Sequence, residues 1–338
     1  MKKSIISLAI LAGMAASGAA MAGDPTVYGN VHLSLNAADN DVPGADNNLT
    51  MSSNTSDVGV KGSEDIGDGM KAIYKVELQI ALLDGPDTTP DTGAPHKSTG
   101  ALTGRDQFVG LQTGMGTIKF GTMSSNYKQM GGKVDPLYRT PLEGRGFLKT
   151  HSALHSGRDI NRGRQTNTVQ YASPKMGGMQ LVVNTTFSGS GEETTGAGFR
   201  YVTKNIIAYV DWIDGQTGTA AACLGATVCA TEAATKIGGK FDGGAFSVAA
   251  QFESAEDRTG ADYTFVAGTF NIDKNNMVAL TYGMADKPTS GTDTTGTAIA
   301  FDHKLSKQTN VYVGYGTLSS DVALADESMF TAGIKKKF

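Results

Sequence analysis

The chain has 338 residues, 39% of them apolar and 18% charged, with 44 Gly, 2 Cys, 1 Trp and a formal net charge of −4. Strand formers are too many and charges too few for a disordered chain. Cysteines are too few for a disulfide-built module, the glycines follow no collagen period, and the acidic balance offers nucleic acid no surface.

Met1 to Ala22 reads as a cleaved secretory signal, with Lys2 and Lys3 as its basic start, an apolar run from Ile5 to Ala16 and the small-residue site Ala20-Met21-Ala22. Loss of two lysines from 29 basic residues, against 33 acids, leaves a single domain, residues 23–338, with a net charge of −6. That remainder has no apolar run of the roughly 18 residues a membrane helix needs. An exported chain of this kind is either soluble or crosses a membrane as a closed barrel.

Period-two alternation then recurs along the chain. From Thr26 to Ala37 one face carries Val27, Gly29, Val31, Leu33 and Leu35, and the other Tyr28, Asn30, His32, Ser34 and Asn36. Met70, Ala72, Tyr74, Val76, Leu78 and Ile80 oppose Lys71, Lys75, Glu77 and Gln79, with Ile73 the exception. The pattern returns at Met179–Phe187, Phe246–Phe252 and Phe330–Phe338, whereas Arg105–Thr113 is ambiguous. One apolar and one polar face per segment is strand alternation.

The connections alternate in length. Short turns fall at 63–69, 114–116, 173–178, 203–205, 242–244, 273–276 and 306–309. Long polar loops fall at about 38–54, 83–103, 124–163, 188–196, 215–234, 254–261, 286–295 and 318–327. Seven turns and eight loops make sixteen strands. A soluble sandwich has no reason to segregate its connections by length, but an outer-membrane barrel places short turns toward the periplasm and long loops outside. The expected fold is all-β: a 16-stranded antiparallel transmembrane barrel in outer-membrane lipid.

The third long loop is the longest and the most basic. With Arg164 it holds eight Lys or Arg against Asp135, Glu143 and Asp159. Sixteen strands enclose a lumen too wide for side chains to fill, so this loop is expected to fold inward and narrow it. His151 and His155 stand i, i+4, yet no third ligand of suitable spacing accompanies them, so no metal site is expected. The five histidines lie mostly on loops or lumen-facing positions, and no enzyme or cofactor chemistry is expected. Cys223 and Cys229 share one external loop and are expected to form a small stapling disulfide in an oxidising compartment.

Several segments then resemble one family. They are Val27-Tyr28-Gly29; the run from Gly59 to Ala72; Phe108-Val109-Gly110-Leu111 with Gly116-Thr117; and Arg164, Asn167, Val169, Tyr171, Ser173 and Pro174. His303 to Lys307 with Tyr312 and Gly314-Tyr315-Gly316, and Gly333 to Phe338, complete the set. The chain resembles the trimeric general porins of Gram-negative outer membranes, in the neisserial and beta-proteobacterial branch, along nearly all of its exported part. The resemblance implies a homotrimeric, water-filled channel for ions and small hydrophilic solutes, with an eyelet made by the third loop. It also implies a terminal Phe338 that signals to the barrel-assembly machinery. Carried onto this chain, the constriction candidates are Lys61, Lys75, Lys119, Arg162 and Arg164 on lumen-facing positions, opposed by the loop acids Asp135 and Glu143. Arg139 and Arg145 are further loop candidates. Asp57 and Thr122 stand where the family commonly has basic residues, so the implied anion preference is weak. The competing readings are a substrate-specific outer-membrane channel and an adhesin-like barrel of little conductance. Trp212, the only tryptophan, has lipid-facing parity, which argues against an aromatic sugar track.

Overall fold

A computed structural model describes residues 25–40, 49–83, 102–156, 163–187, 193–216, 232–287, 291–321 and 326–338. The expected leader, Arg162, Cys223 and Cys229 lie outside the described residues. The first strand segments are β1 (Thr26–Asn40), β2 (Leu49–Ser53), β3 (Asp57–Gly67), β4 (Met70–Ile80), β5 (Leu102–Thr113) and β6 (Gly116–Ser124). After the third loop come β7 (Arg164–Ala172), β8 (Met179–Thr186), β9 (Glu193–Val202), β10 (Ile206–Gln216), β11 (Ala234–Asp242) and β12 (Phe246–Ser254). The last are β13 (Asp262–Asn271), β14 (Asn276–Asp286), β15 (Thr294–Lys304), β16 (Thr309–Ser320) and β17 (Glu327–Lys337). Two helices, α1 (Asn126–Val134) and α2 (Glu256–Thr259), and a 3-10 turn at Ala153–His155 lie in the long connections.

The pairing is antiparallel throughout. It closes where β1 meets β17, from Asn30 opposite Lys337 to Asn40 opposite Glu327. The terminal carbonyl and amide of Phe338 also exchange hydrogen bonds with Gly29. Closure removes the unpaired edge that lipid could not satisfy. Segments β2 and β3 both pair with β1 and form one interrupted stave, so the barrel has sixteen staves. At the interruption Thr55 takes a left-handed backbone (φ 58). His32 O accepts from Asn54 N, and His32 N donates to Ser56 Oγ at 3.0 Å, which keeps the break hydrogen-bonded. Residues 49–53, expected in a loop, are therefore strand, and β9 likewise begins at Glu193, inside the expected 188–196 loop.

Alternation sets the two faces. Along β12 each of Phe246, Val248, Ala250 and Phe252 is exposed, while Ser247, Ala249, Gln251 and Glu253 are buried. The outward apolar side chains are bare on a scale water does not tolerate, such as Ile237 at 59%, Phe270 at 58% and Leu280 at 54%. Lipid is the solvent that suits them.

The third connection folds into the lumen and supplies most of the interior packing. Ser125 caps α1, its Oγ accepting from Lys128 N at 3.2 Å; such caps contribute about 1 kcal/mol. Met130 and Val134 of α1 pack on Tyr209 and Ala249, and Leu137, Leu142 and Leu148 on Ala279, Ala298 and Ala300. Small residues on the inner faces of β14–β16 make room for this contact. A Cβ at Gly296 would lie 2.5 Å from the Leu148 carbonyl oxygen, and one at Gly314 would lie 2.8 Å from Leu142 Cδ1. Gly296→Val is expected to push the loop off β15 into the lumen and lower single-channel conductance. An unchanged conductance would place the loop elsewhere.

Candidate functional site

With the loop against β9–β16, the open part of the lumen lies between the loop and the wall made by β3–β7. A cavity of 480 Å³ there is lined by Lys75, Glu77, Arg105, Asp106, Phe108, Lys119 and Arg164 from the wall, and by Lys128, Lys133, Tyr138 and Arg139 from the loop.

A β-bulge builds the charged wall. Val76 pairs with Gln107 and Leu78 with Gly104, so Glu77 faces both Arg105 and Asp106. A bulge puts two residues opposite one and re-aims their side chains. Both charges then reach the same opening. Arg105 Nε donates to Glu77 Oε1 at 2.6 Å, and Arg164 Nε to Asp106 Oδ1 at 2.7 Å. Lys75 Nζ lies 2.9 Å from Glu77 and 3.4 Å from Asp106. Lys119 sits over the Phe108 ring, 5.1 Å from its centroid.

From the other side, Arg139 reaches across the lumen to Asp57 at 2.8 Å. The acid at position 57 thus anchors the loop tip. Lys128 is buried, and burial first, then Arg164, Arg145 and Arg105, pushes its ammonium down to about 6. It contributes little charge at neutral pH.

The sequence-derived candidates fall into three groups. Lys75, Lys119 and Arg164 line the opening. Lys61 lies beside it in an adjoining cleft shared with Lys75, its Nζ 5.1 Å from the Tyr28 ring. The two loop acids do not face the basic wall across water. Asp135 is buried in the loop, its oxygens accepting from Leu137 N at 2.8 Å and Gly144 N at 2.9 Å. Glu143 pairs with Arg145 at 2.8 Å and accepts from Arg139 N. The carboxylates at the opening are Glu77 and Asp106, which interleave with the basic residues. Arg105 and Asp106 escaped the parity argument because the bulge breaks parity. Their adjacent charges within a segment of failed alternation were the available signal.

Behind the loop, a buried polar cluster fastens it to the wall. Glu253 on β12 accepts from Tyr127 OH at 3.1 Å, Ser152 Oγ at 2.5 Å and Gln251 Nε2 at 2.8 Å, and lies 3.0 Å from His155 Nε2. Lys236 donates to the Tyr127 carbonyl and lies 3.5 Å from Asp211. Asn126 Nδ2 donates to Asp211 Oδ1 at 3.1 Å, and Arg200 Nη1 to Gln129 Oε1 at 2.7 Å. His151 packs against Phe265 with the rings tilted and their centroids 4.4 Å apart, and lies 5.1 Å from the His155 ring.

Two loop groups make this packing sensitive to pH in opposite directions. Burial, then the neighbouring His155, pushes the His151 imidazole down to about 3. A detached loop would titrate it near 6.5, so its contribution is lost as pH falls from about 6.5 toward 3. Burial pushes the Asp135 carboxyl up to about 7, against its two backbone donors. Its contribution is present in acid and lost as pH rises through 7. The Asp135→Asn variant removes the second effect and leaves the first. Its current noise from loop motion is expected to rise as pH falls below about 6, where that of the unmodified protein stays flatter. Identical pH profiles would contradict this assignment.

Comparison with known proteins gives one family and a consistent fold. A model described as "Gram-negative porin" matches residues 7–323. An outer membrane porin protein of Bordetella pertussis is 24% identical over 405 residues, covering 100% of both chains. The major outer membrane protein P.IB of Neisseria gonorrhoeae is 29% identical over 217 residues, covering 62% of this chain and 56% of that protein. Among solved structures, an anion-selective porin from Comamonas acidovorans superposes with a TM-score of 0.76 at 18% identity, covering 94% of this chain and 100% of that one. OmpT of Vibrio cholerae, solved in a trimer form, superposes at 0.62 with 15% identity over 94% of this chain and 100% of its own.

Proposed function

The chain belongs to the family of Gram-negative porins and is an outer-membrane barrel, and on that premise we propose that its pore passes small hydrophilic solutes with a weak preference for anions. No bond is made or broken. Hydrated solutes diffuse through the lumen, the inward loop selects by size, and the charges around the opening select by sign. The lining carries the argument for sign: Lys75, Arg105, Lys119, Lys133, Arg139 and Arg164 stand against Glu77 and Asp106. Low-dielectric walls focus this excess of positive charge into the narrow water column. The preference is weak because four of the six cations are ion-paired: Lys75, Arg105 and Arg164 with the opening's own carboxylates, and Arg139 with Asp57.

The same reading includes export through a cleaved leader of residues 1–22 and assembly guided by the Phe338 strand. A homotrimer is supported by the trimer form of the Vibrio neighbour. The test of ion preference is the zero-current potential of purified protein in a planar bilayer under a tenfold KCl gradient. The expected value is displaced from zero toward the chloride Nernst potential; displacement toward the potassium value would reject the anion assignment.

A further inference from the structure

A second charged cleft lies at the short-turn end of the barrel, on the wall made by β15–β17. Its volume is 450 Å³, and its lining includes Lys304, Lys307, Lys335 and Lys337, with Asn310 and a single acid, Asp302. It shares no lining residue with the opening described above.

Register explains why the lysines converge. Lys304 pairs with Asn310, and Asn310 with Lys335, so the three stand in one row across β15, β16 and β17. Directly paired residues have Cβ atoms about 5 Å apart on one face, and side chains two apart on a strand share that face. Lys337 therefore shares the face of Lys335. It is the face of Tyr312 and Thr331, which are buried inside the barrel. Lys336, between them, points to lipid.

The charge is unbalanced. Asp302, the one acid, is engaged by Asn310 Nδ2. Among the described residues no carboxylate lies within ion-pair distance of Lys304, Lys307, Lys335 or Lys337. Lys335 and Lys337 stand two residues apart on one face of β17, and Lys304 lies two strands away across Asn310, so the ammonium groups repel one another with no ion-pair partner between them. A row of donors spanning two strand spacings suits a ligand with two separated anionic groups better than a single halide.

We propose that this cleft is a binding station for small polyvalent oxyanions of the diphosphate type at the periplasmic mouth of the pore. The inference rests on the porin reading, because only an open lumen brings solute to it. A bound polyanion neutralises the lysines, lowers the local concentration of mobile anions and reduces the chloride current.

The experiment uses the full barrel inserted in one orientation in a planar bilayer, with inorganic pyrophosphate as the probe and acetate as the monovalent control. The expected result is that pyrophosphate lowers the KCl current at a concentration at least tenfold smaller from the periplasmic side than from the outside, whereas acetate shows no such difference. Lys304→Gln/Lys335→Gln should abolish the side difference. If the double variant does not assemble, Lys304→Gln alone, at the strand end, should weaken the periplasmic response severalfold. Equal potency from both sides, or an unchanged response in the lysine variants, would overturn the station while leaving the porin reading intact. A barrel with no conductance would overturn the porin reading itself.

Discussion

Replacing Lys119 with Glu moves the zero-current potential of the channel toward the cation value, the largest shift expected from any single substitution at the opening. Lys119 lines the cavity and, among the described residues, lies within ion-pair distance of no carboxylate; its ammonium lies over the Phe108 ring. Its charge is therefore free to act on a passing ion, and its replacement leaves no broken ion pair behind. Two unit charges 4 Å apart interact by about 1 kcal/mol in bulk water. A two-unit change then amounts to about 2 kcal/mol before screening, which corresponds to a fall of about 30-fold in anion permeability and an opposite change of the same size for cations. Salt screening reduces this to severalfold. Arg164→Glu should shift the potential in the same direction, but it also strips Asp106 of its 2.7 Å partner. Its effect mixes charge with rearrangement. An unmoved potential in Lys119→Glu would place that residue outside the path of ions.

The second large effect concerns the fastening of the loop. Glu253→Ala removes the acceptor shared by Tyr127, Ser152, Gln251 and His155, at a site with no exposure to water. Removing one partner of a buried pair costs about 3–5 kcal/mol. The variant should show noisy, flickering current, faster proteolysis within residues 125–156, and unfolding in detergent at a lower temperature. Glu253→Gln, which keeps the shape and part of the hydrogen bonding, should lie between. A quiet channel with unaltered proteolysis in Glu253→Ala would mean that the apolar contacts of Leu137, Leu142 and Leu148 hold the loop unaided.

The barrel was legible in the sequence because lipid outside and water inside force a period of two on every stave. Segments such as Phe246–Glu253 carry that pattern with Ala249 as the one apolar residue on the inner face, and the segregation of short from long connections supplied the topology. What escaped were places where the period fails or does not apply. Arg105 and Asp106 share a face only through a bulge, and a break at Asn54–Ser56 hid the strand at Leu49–Ser53. The loop has no period at all. Asp135 and Glu143 could be recognised as loop acids, but hydrogen bonds within the loop decide that they turn away from the basic wall. The contacts that seat α1 join residues far apart in the chain, Tyr127 with Glu253 and Asn126 with Asn184. No local pattern announces such pairs. The glycines and alanines of β14–β16 were a readable hint, since small residues at inward positions mark a wall against which something packs.

The account depends on a continuous water path through the barrel beside the inward loop. Single-channel conductance of the purified protein, followed from millimolar to molar KCl, tests that directly. The expected conductance rises in proportion to salt without saturating, with closures in three equal steps if the homotrimer holds. Saturation at low salt would indicate a dedicated binding channel, and absence of conductance would mean that the loop and its packing fill the barrel.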